Sequence, residues 1–476
     1  MSDASLATGS IARHLVRQTA PMILGIGCIM GVGLLDAWFI GQLGADELAA
    51  VSFIFPVSVA LSSLGVGVMV GVNSVVSRAI GAGKLDRAAA LAVQGIVLAF
   101  ALGLFISGSL LLLQGPLFQA LQAPDHLLPL IEDYITPYAL GLPMLLVTMG
   151  ANGALRAQGE AIKSSSILII VALVNGALDP LLIFGWGPVP ALGVAGAGWA
   201  TALAHLIAML TGLALVSTCE LPLRPAMAFR GGLLHGMLTI GRVGAPASLS
   251  SAINPIGLTL LTAILARHGQ EAVAGFGAAG RLQSFAVVPL LALSSSIGPI
   301  AGQNWGAGHA ARACRALHLS TLFCLMYGLA VALTLVLLRE PIAALFTDDA
   351  AIAAQIGRYL SIAAWGFAGY GCLVTATGAL NAVDRAGLAF RLSVARVLLV
   401  MVPFAWLGSR LVGPGAVYGA ELAANLIGGG AAYWFAKRML SSASDAAADK
   451  TSSASTRPAR LHDAGPRTEA GASSSR

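Results

Sequence analysis

Apolar residues run continuously in this chain, without the two-residue alternation of half-buried strands, and short charged or Gly/Pro-rich segments break them at intervals. Twelve runs result, at roughly 18–43, 50–77, 88–113, 127–151, 166–184, 193–217, 238–265, 273–301, 313–338, 353–380, 388–408 and 416–436. Each is about 20 residues or longer, enough for a helix rising ~1.5 Å per residue to cross ~30 Å of hydrocarbon. The pattern predicts an all-α polytopic membrane protein with every backbone polar group paired inside its own helix. A transmembrane β-barrel is excluded, because its strands alternate between lipid-facing and lumen-facing residues.

Composition supports lipid as the main solvent. Of 476 residues, 57% are hydrophobic and 10% charged, against about 25% charged in a soluble domain. The net charge of +6 is scattered through the loops and forms no basic face with interleaved aromatics, so nucleic acid is not an expected partner. Lys and Arg sort between alternate loops. One side holds Arg13, Arg17, Arg78, Lys84, Arg87, Arg156, Lys163, Arg224, Arg230, Arg312, Arg315, Arg385, Arg391, Lys437 and Arg438; the other holds Arg267, Arg339 and Arg410. The positive-inside rule then places both termini in the cytoplasm of a cell whose inner membrane holds the protein. No cleavable signal peptide is expected, since the first run is long enough to span and no small-residue cleavage site follows it. The five cysteines form no CxxC pair, so neither a metal site nor a disulfide is expected of them.

The two halves align without gaps at an offset of 225 residues. Pro21 matches Pro246, Gly81-Ala82-Gly83 matches Gly306-Ala307-Gly308, Arg87 matches Arg312, Pro116 matches Pro341, Tyr134 matches Tyr359, and Gly153-Ala154-Leu155 matches Gly378-Ala379-Leu380. One constant offset linking Pro, Gly, Tyr and Arg pairs across four spans marks an internal duplication. Six spans per half make the repeats parallel, with a cleft between them that can open to either side. The expected organisation is a cytoplasmic segment at 1–17, an N-lobe at 18–217, a cytoplasmic linker at 218–237, a C-lobe at 238–436 and a tail at 437–476. Ser441–Arg476 has almost no large apolar residues, so the tail is expected to be disordered.

Charged groups in hydrocarbon are costly and point to function. Asp36 lies in the first span between Leu34-Leu35 and Ala37-Trp38-Phe39. Asn175 and Asp179 share one face of the fifth span at i,i+4 spacing, and Pro180 follows at once, freeing a carbonyl. Thr201 lies in the outer half of the sixth span. At similar depth, two carboxylates, an amide oxygen and a hydroxyl can form an oxygen cage for Na⁺ or a shared-proton site. The blander alternatives are an interfacial Asp179 and a Thr201 that only packs helices. Leu261 stands where the repeat of Asp36 would fall, so the chemistry is confined to the first half. Arg281 is either a counter-ion to Asp36 or a snorkelling side chain, and Glu421 is a second charge in the C-lobe. The Gly81-Ala82-Gly83-Lys84 stretch lacks the full GxxxxGK[ST] pattern and reads as a tight turn. With no Walker, HExxH or GxSxG motif, neither an enzyme nor a cofactor is expected.

Leu35-Asp36-Ala37-Trp38-Phe39-Ile40-Gly41-Gln42-Leu43-Gly44, Ser77-Arg78-Ala79-Ile80-Gly81-Ala82-Gly83, Gly153-Ala154-Leu155-Arg156-Ala157-Gln158-Gly159 and Asn175-x-x-x-Asp179-Pro180 together resemble the multidrug and toxic compound extrusion (MATE) family. The resemblance spans about residues 13–438. It implies a V-shaped two-lobe fold, drug/cation antiport with H⁺ or Na⁺, and a cation site at Asp36, Asn175, Asp179 and Thr201. These four are metal ligands only if the coupling ion is Na⁺. The seventh span carries Asn254 and the tenth no acid near Gly378, so the chain looks more like the branch related to DNA-damage-inducible protein F. Pro21 and Pro180 are the expected hinges. Small drug-like solutes and the bilayer are the expected partners, for a protein acting as a monomer. The runner-up is a lipid-linked precursor flippase of related fold, which needs a strongly basic cavity; with Arg281 as its main candidate charge, this reading is disfavoured.

Overall fold

The computed structural model describes residues 6–221 and 224–455. The N-terminal half forms six long helices: α1 (Ile11–Gly41), α2 (Ala45–Gly81), α3 (Leu85–Ala120), α4 (Leu128–Ala157), α5 (Ala161–Ile183) and α6 (Val194–Ser217). The second half opens with α7 (Leu233–Leu265), then α8 (Gln270–Ala286) and α9 (Val288–Gly306), which meet at 44° and make one bent crossing. Pro289 stands at the start of α9 and cannot donate to the preceding turn, which breaks the helix there. α10 (Ala310–Leu337) is followed by the short α11 (Arg339–Phe346). α12 (Ala350–Ala363) and α13 (Phe367–Ala382) share one crossing through a 3₁₀ turn at Ala364–Gly366. α14 (Ala386–Val394) runs through a π-helical stretch at Ala395–Met401 into α15 (Val402–Leu411), and α16 (Pro414–Ser455) ends the described chain.

The twelve expected runs therefore become twelve crossings in two lobes of six. Among the described residues, ten helices are long and apolar enough to span, eleven with the bent pair counted as one; α16, diluted by Glu421, Asn425 and its glycines, completes the set. One expectation is corrected. α16 does not give way to irregular chain after 437 but stays helical to Ser455, since its Ala-rich continuation has high helix propensity. Residues 456–476 of the expected tail lie outside the described residues.

Each lobe buries its own core. In the N-lobe, α4 is the central helix, with Ile135, Leu142, Ala151 and Leu155 buried against α2, α3 and α6. In the C-lobe, Phe276, Tyr359 and Tyr418 pack ring against ring, and Phe367 is buried in the same core. The lobes touch on the face that carries the Lys/Arg-rich loops. There α2 crosses α9 so closely that a Cβ on Gly81 would collide with the Gln303 carbonyl, and one on Gly306 with the Arg78 carbonyl. The two contacts exchange under the internal repeat, because 81 matches 306 and 78 matches 303. The third glycine of each Gly-Ala-Gly serves the turn instead of the crossing. Gly83 (φ 71°) and Gly308 (φ 77°) take the left-handed conformation that ends the helix.

Polar contacts seal the same face. The Ser74 hydroxyl donates to the Asn381 carbonyl (2.6 Å), the Gln303 amide to the Ala157 carbonyl (2.8 Å), and Arg78 pairs with Asp384 at 3.5 Å. The segment before α1 lies across the seam. Leu6 is buried, its N–H donates to Gln303 and its carbonyl accepts from Asn304, and Arg312 donates to the Gly9 carbonyl. Leu6, Ile11 and Leu15 belong to the core of the C-lobe, although the remainder of α1 packs along α5 of the N-lobe.

Methyl groups at the α2–α9 crossing should open this face. Gly81→Ala or Gly306→Ala adds an overpacking cost of ~1–3 kcal/mol. A cysteine at the buried Leu6 position, in an otherwise cysteine-free protein, should then react at least about fivefold faster with a maleimide. Unchanged labelling would show that the lobes are held apart by other contacts.

Candidate functional site

The four expected ion-site residues converge near the far ends of α1, α5 and α6. The Asn175 amide donates to Asp179 (3.2 Å) and faces the Thr201 hydroxyl (3.5 Å). Asp179 is fully buried and Asn175 nearly so. Asp36 approaches from α1 within electrostatic reach of Asp179. Phe39, one turn beyond it, packs edge-on against Phe184 at the end of α5 with ring centroids 6.1 Å apart. One oxygen of each carboxylate, Asp36 Oδ1 and Asp179 Oδ2, is buried without a hydrogen-bond partner. Such atoms are expensive to leave unsatisfied. A proton or a hard cation satisfies both, and the oxygen donors fit either one; Na⁺ would also need the Asn175 amide turned so that its oxygen faces inward.

One further residue joins this cluster beyond those the sequence singles out, and a second lies a helical turn away from it. Tyr134 of α4 reaches Thr201 and senses both Asp36 and Asp179. His205 lies one turn beyond Thr201 on α6 with Nδ1 buried and unpartnered. A lone histidine in an apolar span is a visible signal in the sequence; Tyr134 is visible there only as a repeat match.

The expected hinges do not break their helices. α1 is continuous through Pro21, whose carbonyl accepts from the Ser165 hydroxyl, and α5 continues past Pro180 to Ile183. Arg281 is exposed on α8 and has no ion pair, with Asp36 or any other acid, among the described residues. Glu421 is buried and committed within its own lobe: it accepts from Gln283 (2.9 Å) and from the Tyr359 hydroxyl (3.1 Å), and that hydroxyl also contacts Gln283.

Between the lobes, above the α2–α9 crossing, lies a cavity of about 250 Å³. Asn73 and Ser74 of α2, Asn254 of α7, Ser294 of α9 and Asn381 of α13 line it with polar groups. Two guanidinium groups also line it, Arg156 from the N-lobe and Arg396 from the C-lobe. Each lies within a few residues of a basic loop, so in the sequence Arg156 reads as a loop charge and Arg396 does not stand out. The structure buries both.

A helical protein with two repeated six-helix lobes, a cavity between them and an orphaned carboxylate pair inside one lobe is a secondary transporter in architecture. The chain belongs to the MatE family, whose profile matches residues 21–181 and 246–407, two segments that begin at the same offset of 225 residues. It is 35% identical over 435 residues to a FAD transporter of Shewanella oneidensis, covering 91% of this chain and 96% of that protein. It is 30% identical over 359 residues to a probable multidrug resistance protein NorM of Aromatoleum aromaticum, covering 72% and 75%. Among solved structures it is similar to the Vibrio cholerae MATE transporter VcmN in the bent form, with TM-score 0.85, 27% identity and coverage of 91% and 98%. The fold also matches an outward-facing MATE family transporter with TM-score 0.87 at 24% identity, covering 94% and 99%.

The Glu421 cluster predicts a stability effect. Glu421→Ala strands the Gln283 amide N–H in a buried site, at ~1–3 kcal/mol, while the Tyr359 hydroxyl keeps the Gln283 side-chain oxygen as its acceptor. The thermal midpoint of the detergent-solubilised protein should fall clearly, and Glu421→Gln should lower it much less. Equal midpoints for Glu421→Ala and the unaltered protein would remove Glu421 from the C-lobe framework.

Proposed function

We propose that this protein exports organic solutes across the bacterial inner membrane in exchange for inward-moving H⁺ or Na⁺, acting as a monomer with its basic face and both termini in the cytoplasm. The observation that carries this reading is the pair of partnerless carboxylate oxygens at Asp36 and Asp179. Asp36 sits on the helix whose other end is packed into the opposite lobe. In this orientation the described state is closed to the cytoplasm. An ion arriving from outside neutralises the Asp36–Asp179 pair, with Asn175, Thr201 and Tyr134 as neighbours. The outer end of α1 then repacks on α5. Because Leu6, Ile11 and Leu15 are anchored in the C-lobe, that movement bears on the sealed face. Alternation of the two lobes around the cavity follows. The relatives named as a FAD transporter and as a probable multidrug resistance protein support an organic solute as cargo.

Everted vesicles test the reading, with a pH gradient and, separately, a Na⁺ gradient imposed. Asp36→Asn keeps the size of the side chain and removes its titratable charge. Gradient-driven export should drop by about tenfold or more, the scale of a coupling free energy of ~1–3 kcal/mol, while solute binding by the purified protein persists. Full coupled export by Asp36→Asn would take this residue out of the mechanism.

A further inference from the structure

The cavity between the lobes has an unusual charge balance for a protein with orphaned carboxylates elsewhere. Its lining includes two arginines and no aspartate or glutamate. Neither guanidinium forms an ion pair among the described residues. Arg156 donates to Asn152 (2.7 Å) and to the Ser164 hydroxyl (3.1 Å). Arg396 donates to the side-chain oxygens of Asn425 and Asn254, lies over the Tyr370 ring at 5.8 Å, and keeps its Nε buried without a partner. Only 3% of Arg396 is exposed. A buried guanidinium held by neutral amides is costly, and its remaining N–H geometry matches a carboxylate or phosphate. The one acid in its electrostatic neighbourhood, Glu421, spends both oxygens on Gln283 and Tyr359 and does not line the cavity.

The backbone around Arg396 departs from a regular helix. The residue lies in the π-helical stretch Ala395–Met401, where the widened turn shifts side chains relative to an α-helix; such insertions gather at functional sites. The internal repeat sharpens the contrast. In the last span of each lobe the offset changes from 225 to 220 residues: aligning Gly193, just before α6, with Gly413, just before α16, sets Thr201 against Glu421 and His205 against Asn425, while Tyr134 matches Tyr359 at 225. The C-lobe counterpart of the ion cluster thus holds a fixed cation where the N-lobe leaves carboxylates free for a mobile one. Three hydroxyls line the same cavity: Ser393, which donates to the Ala389 carbonyl (3.1 Å), Ser250, 2.7 Å from it, and Ser294, which donates to the Val374 carbonyl (2.6 Å).

We propose that the exported solute is an organic anion, and that its phosphate-type head is held between Arg396 of the C-lobe and Arg156 of the N-lobe. This deepens the export reading above and rests on it. Arg396 selects the anion through charge-assisted hydrogen bonds, and Arg156 completes the clasp when the lobes are together. The cavity of about 250 Å³ lies just below the usual range of ligand sites, ~300–1,000 Å³. In this state it fits the charged head of a solute whose remaining body extends beyond it. Nucleotides and lipid-linked diphosphates share this head chemistry.

The test uses purified full-length protein and four probes: ADP, farnesyl diphosphate, neutral riboflavin and cationic ethidium. ADP or farnesyl diphosphate should bind, more weakly as KCl rises, and riboflavin and ethidium should bind less well than either. Arg396→Gln should weaken the anion at least about tenfold, and Arg396→Lys should recover part of the loss. If Arg396→Gln does not fold, as read by its thermal midpoint, Arg396→Lys and Arg156→Gln carry the comparison, and each should weaken the anion. Displacement of ADP by farnesyl diphosphate supports the shared head chemistry, and the tighter of the two identifies its source. Failure of the unaltered protein to bind either anion, or equal binding by the arginine variants, overturns the proposal. Export by vesicles separates the two levels. Ion-driven export of ethidium without any export of ADP or farnesyl diphosphate sinks the anion proposal and leaves the export reading intact. Absence of export of all four probes under either gradient sinks the export reading itself.

Discussion

The backbone-to-backbone crossing of α2 and α9 sets the position of everything else. Gly81 rests on the Gln303 carbonyl and Gly306 on that of Arg78, and no side chain larger than hydrogen fits at either point. Because the crossing repeats itself under the internal duplication, it forms a pivot at which the lobes meet as near equals. Just beyond it α2 also lies close to α7, where Gly67, Gly71 and Gly244 allow contact with Ser248 and Ile240. These approaches bring Asn73 and Ser74 to the floor of the central cavity. Bistable closure follows more readily from such a seam than from a broad apolar interface, since a few tight contacts are made or lost together.

α1 gives the seam a connection to the ion cluster. Its beginning is part of the C-lobe core through Leu6, Ile11 and Leu15, and its far end carries Asp36 beside Asp179 in the N-lobe. In between, Gly25 would place a Cβ 2.8 Å from the Ser165 hydroxyl, so the middle of α1 has little freedom to shift sideways against α5. This close packing supports the proposal that movement at the Asp36 end is passed along the helix. The lobes differ in charge: the N-lobe holds the partnerless carboxylate oxygens of Asp36 and Asp179, the proposed site of a mobile cation, and the C-lobe holds the buried guanidinium of Arg396.

The fold is legible in the sequence because lipid demands long apolar runs, and the twelve expected spans differ from the observed helices mostly by a turn or two at their ends. Asp36, Asn175, Asp179 and Thr201 are legible because polar groups in apolar runs are few, and the structure brings all four into one neighbourhood. Arg396 and Arg156 are not. Proximity to basic loops makes them look like topogenic charges, and only the packing of Asn254, Asn425 and Ser164 around them shows that they point inward. Gly81 and Gly306 are visible as a repeated turn motif, yet the turn-forming third glycine separates from the packing first glycine only once α2 and α9 are seen to cross. The helical run to Ser455 is hidden because low hydrophobicity points to disorder while alanine's helix propensity prevails.

The proposed cycle has ion occupancy at Asp36, carried along α1, release the seam on the basic face. Spin labels at Lys84 and His309, beside the two Gly-Ala-Gly turns, report the width of that seam directly. Distances between them, measured by pulsed electron resonance across a pH series and a Na⁺ series, should lengthen with one of the two ions in the unaltered protein. They should stay short under both in Asp36→Asn and still respond in Glu421→Gln. An ion-dependent lengthening that persists in Asp36→Asn would contradict the account.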